Sequence, residues 1–294
     1  MSHSSHPLTT RLHPLGFTQL FPLPSSSELE AYYSERYYQE SSAQYEAHYS
    51  EEEIQWFRLE AKVADHIYNS HFTEKSSKSL FDVGCGEGFF SAELLSRGWN
   101  VRCCDFSSHG ISAFNPELLD FFQKGNIYKI LDNALRLSAQ YDLVNLANVL
   151  EHVLDPLGLL ANLRKLLRED GLLRIVVPND FSAFQEYLKK EGKINEDYWL
   201  CPDHLSYFNF VNLKIVLEEL NFKIYHIMGD FPIELFLLND FSNYKMNDSA
   251  VGKQAHYARC KSDIFYSSNL EAYTRFLEAQ GSLGLGRDII AYVR

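Results

Sequence analysis

The chain predicts a doubly wound α/β fold on a mostly parallel sheet, and three observations carry that prediction. First, Leu80, Phe81 and Val83 make a short apolar strand, and Gly84, Gly86 and Gly88 follow at alternate positions. Phe89 to Arg97 then has amphipathic helix spacing, with Gly98 as its terminator. Strand, glycine turn and helix form the first half of a βαβ unit, where such folds bind nucleotide-like ligands. Glycine suits the turn because a Cβ would hold the backbone away from a ligand. Second, Asp105 ends the apolar segment Val101-Arg102-Cys103-Cys104, about 20 residues beyond the glycines, where a carboxylate can accept both ribose hydroxyls. Third, apolar strands keep alternating with helical segments, at 142–146, 172–177 and 222–228.

The glycine turn narrows the ligand. A dinucleotide fingerprint would place its third glycine one position later, where Phe89 stands, and no Lys-Ser or Lys-Thr pair supports a phosphate loop. Glu87, inside the turn, would repel a pyrophosphate and accommodate a cofactor bearing an ammonium and a sulfonium.

Phe81-Asp82-Val83-Gly84-Cys85-Gly86-Glu87-Gly88 resembles the first motif of the class I S-adenosylmethionine (SAM)-dependent methyltransferases, and Asp105 the acidic end of their second strand. The similarity continues through Tyr141-Asp142-Leu143-Val144, Asn148-Val149-Leu150-Glu151-His152-Val153-Leu154-Asp155-Pro156 and the run Gly171 to Asn179. This series is similar to the branch that methylates small molecules, including quinone precursors and sugars. The resemblance implies a Rossmann-like seven-stranded sheet with an antiparallel last strand, and SAM as cofactor. It implies cofactor contacts from Asp82, Gly84, Cys85, Gly86, Gly88, Asp105 and Phe106, then from Asn126, Ile127, Ala147 and Asn148. Asn126 departs from the acidic residue often found there, though its amide could still accept from the adenine amine, with Asp132 as a fallback.

Composition sets further bounds. A hydrophobic fraction of 46% supports a sizeable core, and no run of 18 apolar residues suggests a membrane span. The net charge of −12 argues against a broad nucleic-acid surface. The amino-terminal residues lack the pattern of a secretory signal, and five scattered cysteines without C-x-x-C spacing suit reduced cytoplasmic thiols better than a zinc site. No metal is expected. The expected partner is a small-molecule acceptor, and a homodimer is compatible with the sequence.

Taken in order, residues 1–24 read as a proline-containing arm, and Ser25 to Glu30 as a capping box for a helix through Tyr38. Tyr32, Tyr33, Tyr37, Tyr38, Tyr45 and Tyr49 either pack on the main domain, the preferred reading, or close over the cofactor as a lid. A helix over 51–68 feeds the first strand. Gly125-Asn126-Ile127 is taken as the third strand end, with a helix over 131–137. Leu159, Leu160, Leu163, Leu166 and Leu167 give the next helix its apolar face, with Glu169-Asp170-Gly171 ending it. Residues 1–45 are thus read as arm and aromatic helix, 46–230 as the cofactor core, and 231–294 as a substrate-side insertion plus the final strand.

For chemistry, Asn148 and Glu151 border the expected transfer site. His152 is read as fixing the loop through a hydrogen bond. His204, in Tyr198 to Asn209, is the candidate general base, oriented by Asp203; the competing reading is a cap for the following element. Lys253, His256, Arg259 and Lys261 could recognise a phosphate or carboxylate on an acceptor, and a solvated basic face is the preferred reading. The leading acceptor reading is a saccharide or nucleotide-sugar hydroxyl. A quinone-precursor hydroxyl and a non-catalytic SAM-binding protein are the alternatives.

Overall fold

The computed structural model describes residues 9–29, 48–72, 75, 77–195, 198–201 and 203–294. The tyrosines from Tyr32 to Tyr45 and the expected helix from residue 30 to Tyr38 lie outside the described residues.

Where the sequence predicts an arm up to Pro24, the structure has a hairpin of β1 (Thr10–Leu12) and β2 (Thr18–Leu20). Its cause is tertiary. Phe17 is fully buried against Phe208, with ring centroids 5.0 Å apart, and β2 continues into a later strand. A helix begins at 26–29, where the Ser25 backbone N–H donates to Glu28 Oε2 at 2.8 Å. Next come α1 (Glu51–His71), β3 (Ser79–Val83), α2 (Phe89–Ser96), β4 (Asn100–Asp105) and α3 (His109–Phe114). The capping box of Ser50 and Glu53 starts α1.

A short β5 (Phe122–Lys124) leads into α4 (Ile127–Arg136), then β6 (Tyr141–Ala147) and α5 (Pro156–Lys165). Asn126 is the N-cap of α4, its side chain accepting the Tyr128 N–H at 3.0 Å. The helix therefore starts four residues earlier than expected. The long β7 (Leu167–Pro178) likewise begins before Gly171. Leu166 and Leu167 are buried, and the Tyr141 N–H donates to the Leu166 carbonyl at 2.8 Å, so pairing with β6 takes this segment from the helix. After α6 (Ala183–Lys190) come β8 (Ser206–Tyr207), which pairs with β2, then α7 (Phe210–Glu219) and β9 (Ile224–Gly229). The insertion holds α8 (Ser249–Tyr266) and α9 (Leu270–Ser282), and β10 (Asp288–Val293) closes the chain.

The main sheet has seven strands in the order β5-β4-β3-β6-β7-β10-β9, with β10 antiparallel to both neighbours and the other adjacent pairs parallel. This is the Rossmann-like sheet with an antiparallel last strand. The chain winds outward from β3 to β5, then returns beside β3 as β6, which leaves a crevice at the carboxyl ends of β3 and β6. Apolar side chains of α4, α5 and α7 cover one face, and those of α1, α2 and α9 the other. Among the described residues, no helix is long and apolar enough to cross a membrane.

Asp142 pins the entry to β3. Its buried carboxylate accepts the Ser79 backbone N–H at 2.8 Å, the Ser79 hydroxyl at 2.7 Å and Lys75 at 2.5 Å. Burial alone would raise its pKa, but these donors outweigh it and hold the carboxyl below its ordinary value. Asp142→Ala leaves the Ser79 donors without this acceptor and Lys75 with Asp170 alone, and should cost about 2–4 kcal/mol. Chemical denaturation against wild type measures it, and an unchanged midpoint would contradict this role.

Candidate active site

A cavity of about 490 Å3 opens at the crevice. All the residues expected to contact the cofactor line this one space. They come from five places: the end of β3, the glycine turn, the end of β4, the start of α4 and the end of β6. Trp56 and Phe57 of α1 cover it, and Leu29 joins the wall.

The glycines shape the cradle by more than access. Gly84 has φ +75°, and a Cβ there would meet Val149 Cγ2 at 2.4 Å, across the loop that follows β6. Gly88 has φ +80°, and a Cβ would meet Leu118 Cδ1 at 2.6 Å. Both positions combine a left-handed backbone with close packing, which only glycine satisfies. Asn148 also has positive φ, at 54°, and sits where β6 leaves the sheet. Asp105 accepts the Gly86 N–H at 3.1 Å through Oδ2 and the Ser107 N–H at 3.1 Å through Oδ1, tying the glycine turn to the end of β4. Glu87 accepts the Tyr49 hydroxyl at 2.8 Å, and burial raises its pKa. Tyr49 packs with Phe57, Phe89 and Phe114, so the last tyrosine of the expected series does pack on the core. The Asn126 carboxamide oxygen is engaged as the cap of α4 while the residue lines the cavity.

The cavity wall beyond Asn148 is built by Val149, His152 and Val153, with His204 behind His152 at a ring-centroid distance of 4.8 Å. Glu151, His152 and His204 each present one ligand-type atom within 4.8 Å of the other two, an arrangement that can share a proton or hold a cation. His152 Nδ1 lies 2.9 Å from the Asp203 carbonyl oxygen, so the neutral ring carries its proton there. Burial and the neighbouring His204 charge push the His152 pKa down to about 4. Burial also disfavours charge on His204, but Asp180, Cys201 and Glu151 outweigh it and lift its pKa to about 10. Burial pushes Glu151 up to about 8, against the pull of His204. Asp203 contributes its backbone to His152, while Asp180 is the carboxylate beside His204, with 3.8 Å from Nδ1 to Oδ2. Tyr207 and Phe208 are buried in packing.

Several wall residues escape the sequence reading: Glu60, Asn145, Arg174, Arg259 and Asp288. The signal for Arg174 was present as a lone charge inside the apolar run Leu172 to Val177. Arg259, taken above for part of a solvated face, is buried instead, because it pairs with Asp230 in the interior. Lys253 and Lys261 are exposed. Asn243, in the segment read above as a substrate-side insertion, is fully buried and donates to the Lys193 and Leu237 carbonyls, a structural role.

These features define a class I SAM-dependent methyltransferase: a seven-stranded sheet of this order, a glycine turn at its switch point, and an aspartate on the adjacent strand. A family model described as "Methyltransferase domain" matches residues 51–227, and the chain belongs to that family. A ubiquinone biosynthesis O-methyltransferase of Rickettsia bellii is 28% identical over 171 residues, covering 55% of this chain and 71% of that protein. Its namesake from Nitrosomonas europaea is 32% identical over 98 residues, and the match spans 33% of this chain and 42% of the relative. The crystal structure of a SAM-dependent methyltransferase from Archaeoglobus fulgidus shares the fold, with TM-score 0.50 and 18% identity over 83% of this chain and 96% of that one.

Two outcomes follow from this geometry. Asp105→Ala removes the acceptor for the Gly86 N–H and should weaken SAM binding by about tenfold or more in calorimetry; unchanged affinity would separate Asp105 from the cofactor. His204 has a folded pKa near 10 against an ordinary 6.5. Its stabilising contribution is therefore full below pH 6.5 and is lost as pH rises toward about 10. Thermal unfolding from pH 6 to 10 should show a steeper decline for wild type than for His204→Gln.

Proposed function

We propose that the chain methylates a phenolic hydroxyl on a small aromatic acceptor, with SAM as donor. The observation that carries this reading is the continuity of one cavity from the glycine cradle to the His152 wall. The names of the curated relatives favour an aromatic quinone-precursor acceptor over the saccharide that the sequence first suggested. The aromatic lining of Trp56, Phe57, Phe90 and Phe106 supports the same choice.

The cavity fits the cofactor. Its charged lining residues are Glu60, Asp82, Glu87, Asp105 and Asp288 against Arg174 and Arg259, an acidic excess that suits a cationic sulfonium ligand. Bound SAM supplies a methyl group already activated for transfer. The glycine turn and Asp82 would hold its methionyl and ribose side, Asp105 the ribose hydroxyls, and Phe106 with Asn126 and Ile127 the base. Ala147 and Asn148 would border the reacting centre.

A hydroxyl that accepts a methyl group must lose its proton. His152 lines the cavity and is neutral at neutral pH, so its imidazole can accept a hydrogen bond from that hydroxyl and orient it; with a pKa of about 4 it is a weak base, and the proton passes on to water. His204, held protonated behind it, is less suited to be the base and instead orients His152 together with Glu151. Exclusion of water by Trp56, Phe57 and Leu29 would complete the site.

His152→Ala should lower kcat by about a hundredfold while leaving SAM affinity within about twofold of wild type. Mass spectrometry of reactions with polyhydroxybenzoates, catechols and sugar nucleotides tests the acceptor class. Methylated phenols are expected, and turnover of sugars alone would overturn the proposal.

A further inference from the structure

Away from the cavity, two histidines 155 residues apart in the chain meet at the edge of the main sheet. His71 is the last residue of α1 and is exposed. His226 lies on β9, the outer strand, and is half-buried. Their Nε2 atoms are 2.6 Å apart and their ring centroids 4.8 Å, so the rings meet nearly head-on at those nitrogens. Behind His226, Glu278 of α9 places Oε1 2.6 Å from Nδ1. Tyr292 flanks the His226 ring at 6.2 Å, and Tyr225 flanks His71 at 5.0 Å.

Glu278 decides what each nitrogen of His226 does. A carboxylate accepts, so Nδ1 carries the ring hydrogen and Nε2 turns a lone pair toward His71. A carboxylate behind the ring is also the usual outer partner of a metal-binding imidazole, because it fixes the tautomer and makes the far nitrogen a better donor. His71 can supply a second lone pair at Nε2 once its hydrogen moves to Nδ1. One shared hydrogen now joins the two nitrogens, and a metal ion can take its place. Imidazole nitrogens lie about 2.0–2.1 Å from such an ion, so the pair need open by less than about 1 Å. The exposed ring of His71 is free to make that movement. We infer that His71 and His226 form a surface site for a divalent transition ion such as zinc, nickel or copper, with water completing its shell.

The donor set selects the ion, since imidazole suits these metals while magnesium and calcium take oxygen. Electrostatics favours a cation here on two counts. The site stands at the carboxyl end of a 21-residue helix, where the helix dipole is negative, and the chain carries a net charge of −12. Lys223, with its amine over the Tyr225 ring at 4.5 Å, acts against the cation, and the Glu278 carboxylate offsets it. No spacing in the sequence announces the pair, because only the fold brings the end of α1 to β9. The site is distinct from the Glu151, His152 and His204 group and does not depend on the acceptor reading. Nearer its other end, α1 covers the cavity with Trp56 and Phe57, so an ion held here fastens the covering helix to the edge of the sheet.

The test titrates the full chain, first stripped of metal, with Zn2+ in a calorimeter. Wild type should bind Zn2+ with an affinity on the order of micromolar and give no binding heat with Mg2+. His71→Asn and His226→Asn should each weaken Zn2+ binding by about tenfold or more, and Glu278→Gln by about tenfold. Should His226→Asn fail to fold, His71→Asn, altered only at an exposed helix end, carries the same comparison. Modification by diethyl pyrocarbonate, read peptide by peptide in a mass spectrometer, then locates the ion: Zn2+ should slow the reaction of His71 and His226. Zn2+ should also raise the unfolding temperature of wild type more than that of His71→Asn. Absence of Zn2+ binding would overturn the inference. So would equal affinity in wild type and His71→Asn, or protection confined to His152 and His204, since the ion would then sit elsewhere.

Discussion

A guanidinium buried in a sheet needs compensation, and Arg174 finds it for Nη1 and Nη2 in a row of side chains crossing four strands. Asp82 of β3 is in register with Asn145 of β6, Asn145 with Arg174 of β7, and Arg174 with Tyr292 of β10. The Asn145 amide donates to Asp82 at 2.7 Å and accepts from Arg174 at 2.8 Å, while the Ser91 hydroxyl of α2 donates to Asp82 at 2.7 Å. Glu60 of α1 closes the other end. Because side chains alternate across a strand, a register slip by one residue would move Arg174 into the apolar layer under α4, α5 and α7. Removing one partner leaves a buried charge unpaired, at a cost of about 3–5 kcal/mol. The row therefore fixes the strand register below the cavity and the position of α1 above it.

The site inherits this geometry. Gly84 follows Asp82 by two residues, Ala147 follows Asn145 by two, and Val176 follows Arg174 by two, so the row lies one step below the strand ends and forms part of the cavity floor. With the row fixed, the glycine turn, the end of β6 and the His152 loop are held at constant spacing. The acidic excess of the lining then sets the kind of ligand admitted. Packing supplies position, and the uneven count of charges supplies selectivity for a cation.

Much of this was legible in the sequence because it depends on local pattern. The glycine turn, Asp105 and the alternation of strands with helices identify the sheet and its crevice without any long-range contact. What stayed hidden depends on partners distant in the chain. The β1–β2 hairpin exists because β8 and Phe208 are present to receive it, and the start of β7 is taken from helix by Tyr141 across the sheet. Arg259 looked solvated among Lys253, His256 and Lys261, since only the fold brings Asp230 and Asp288 to one side of α8. The Asn126 cap could have been read, because an Asn before Ile127 is an ordinary helix start; the expectation of a strand end there displaced it.

The Glu151, His152 and His204 cluster shows why type and spacing alone do not assign roles. Three titratable groups confined together share few protons, and each one's affinity depends on the charge of the others. His204, close to Asp180 and Glu151, keeps its proton, and that charge together with burial strips the proton from His152. The order of basicity is thus the reverse of what surface histidines would show, and the less basic ring is the one on the cavity wall. A wall group that stays neutral at neutral pH does not repel the positive sulfonium that the cavity is built to admit. The buried imidazolium is kept one ring further back, where Asp180 offsets it. The acidic lining and the neutral wall are therefore two parts of one electrostatic arrangement, and a cation seated between them meets no like charge at the point where the acceptor must approach.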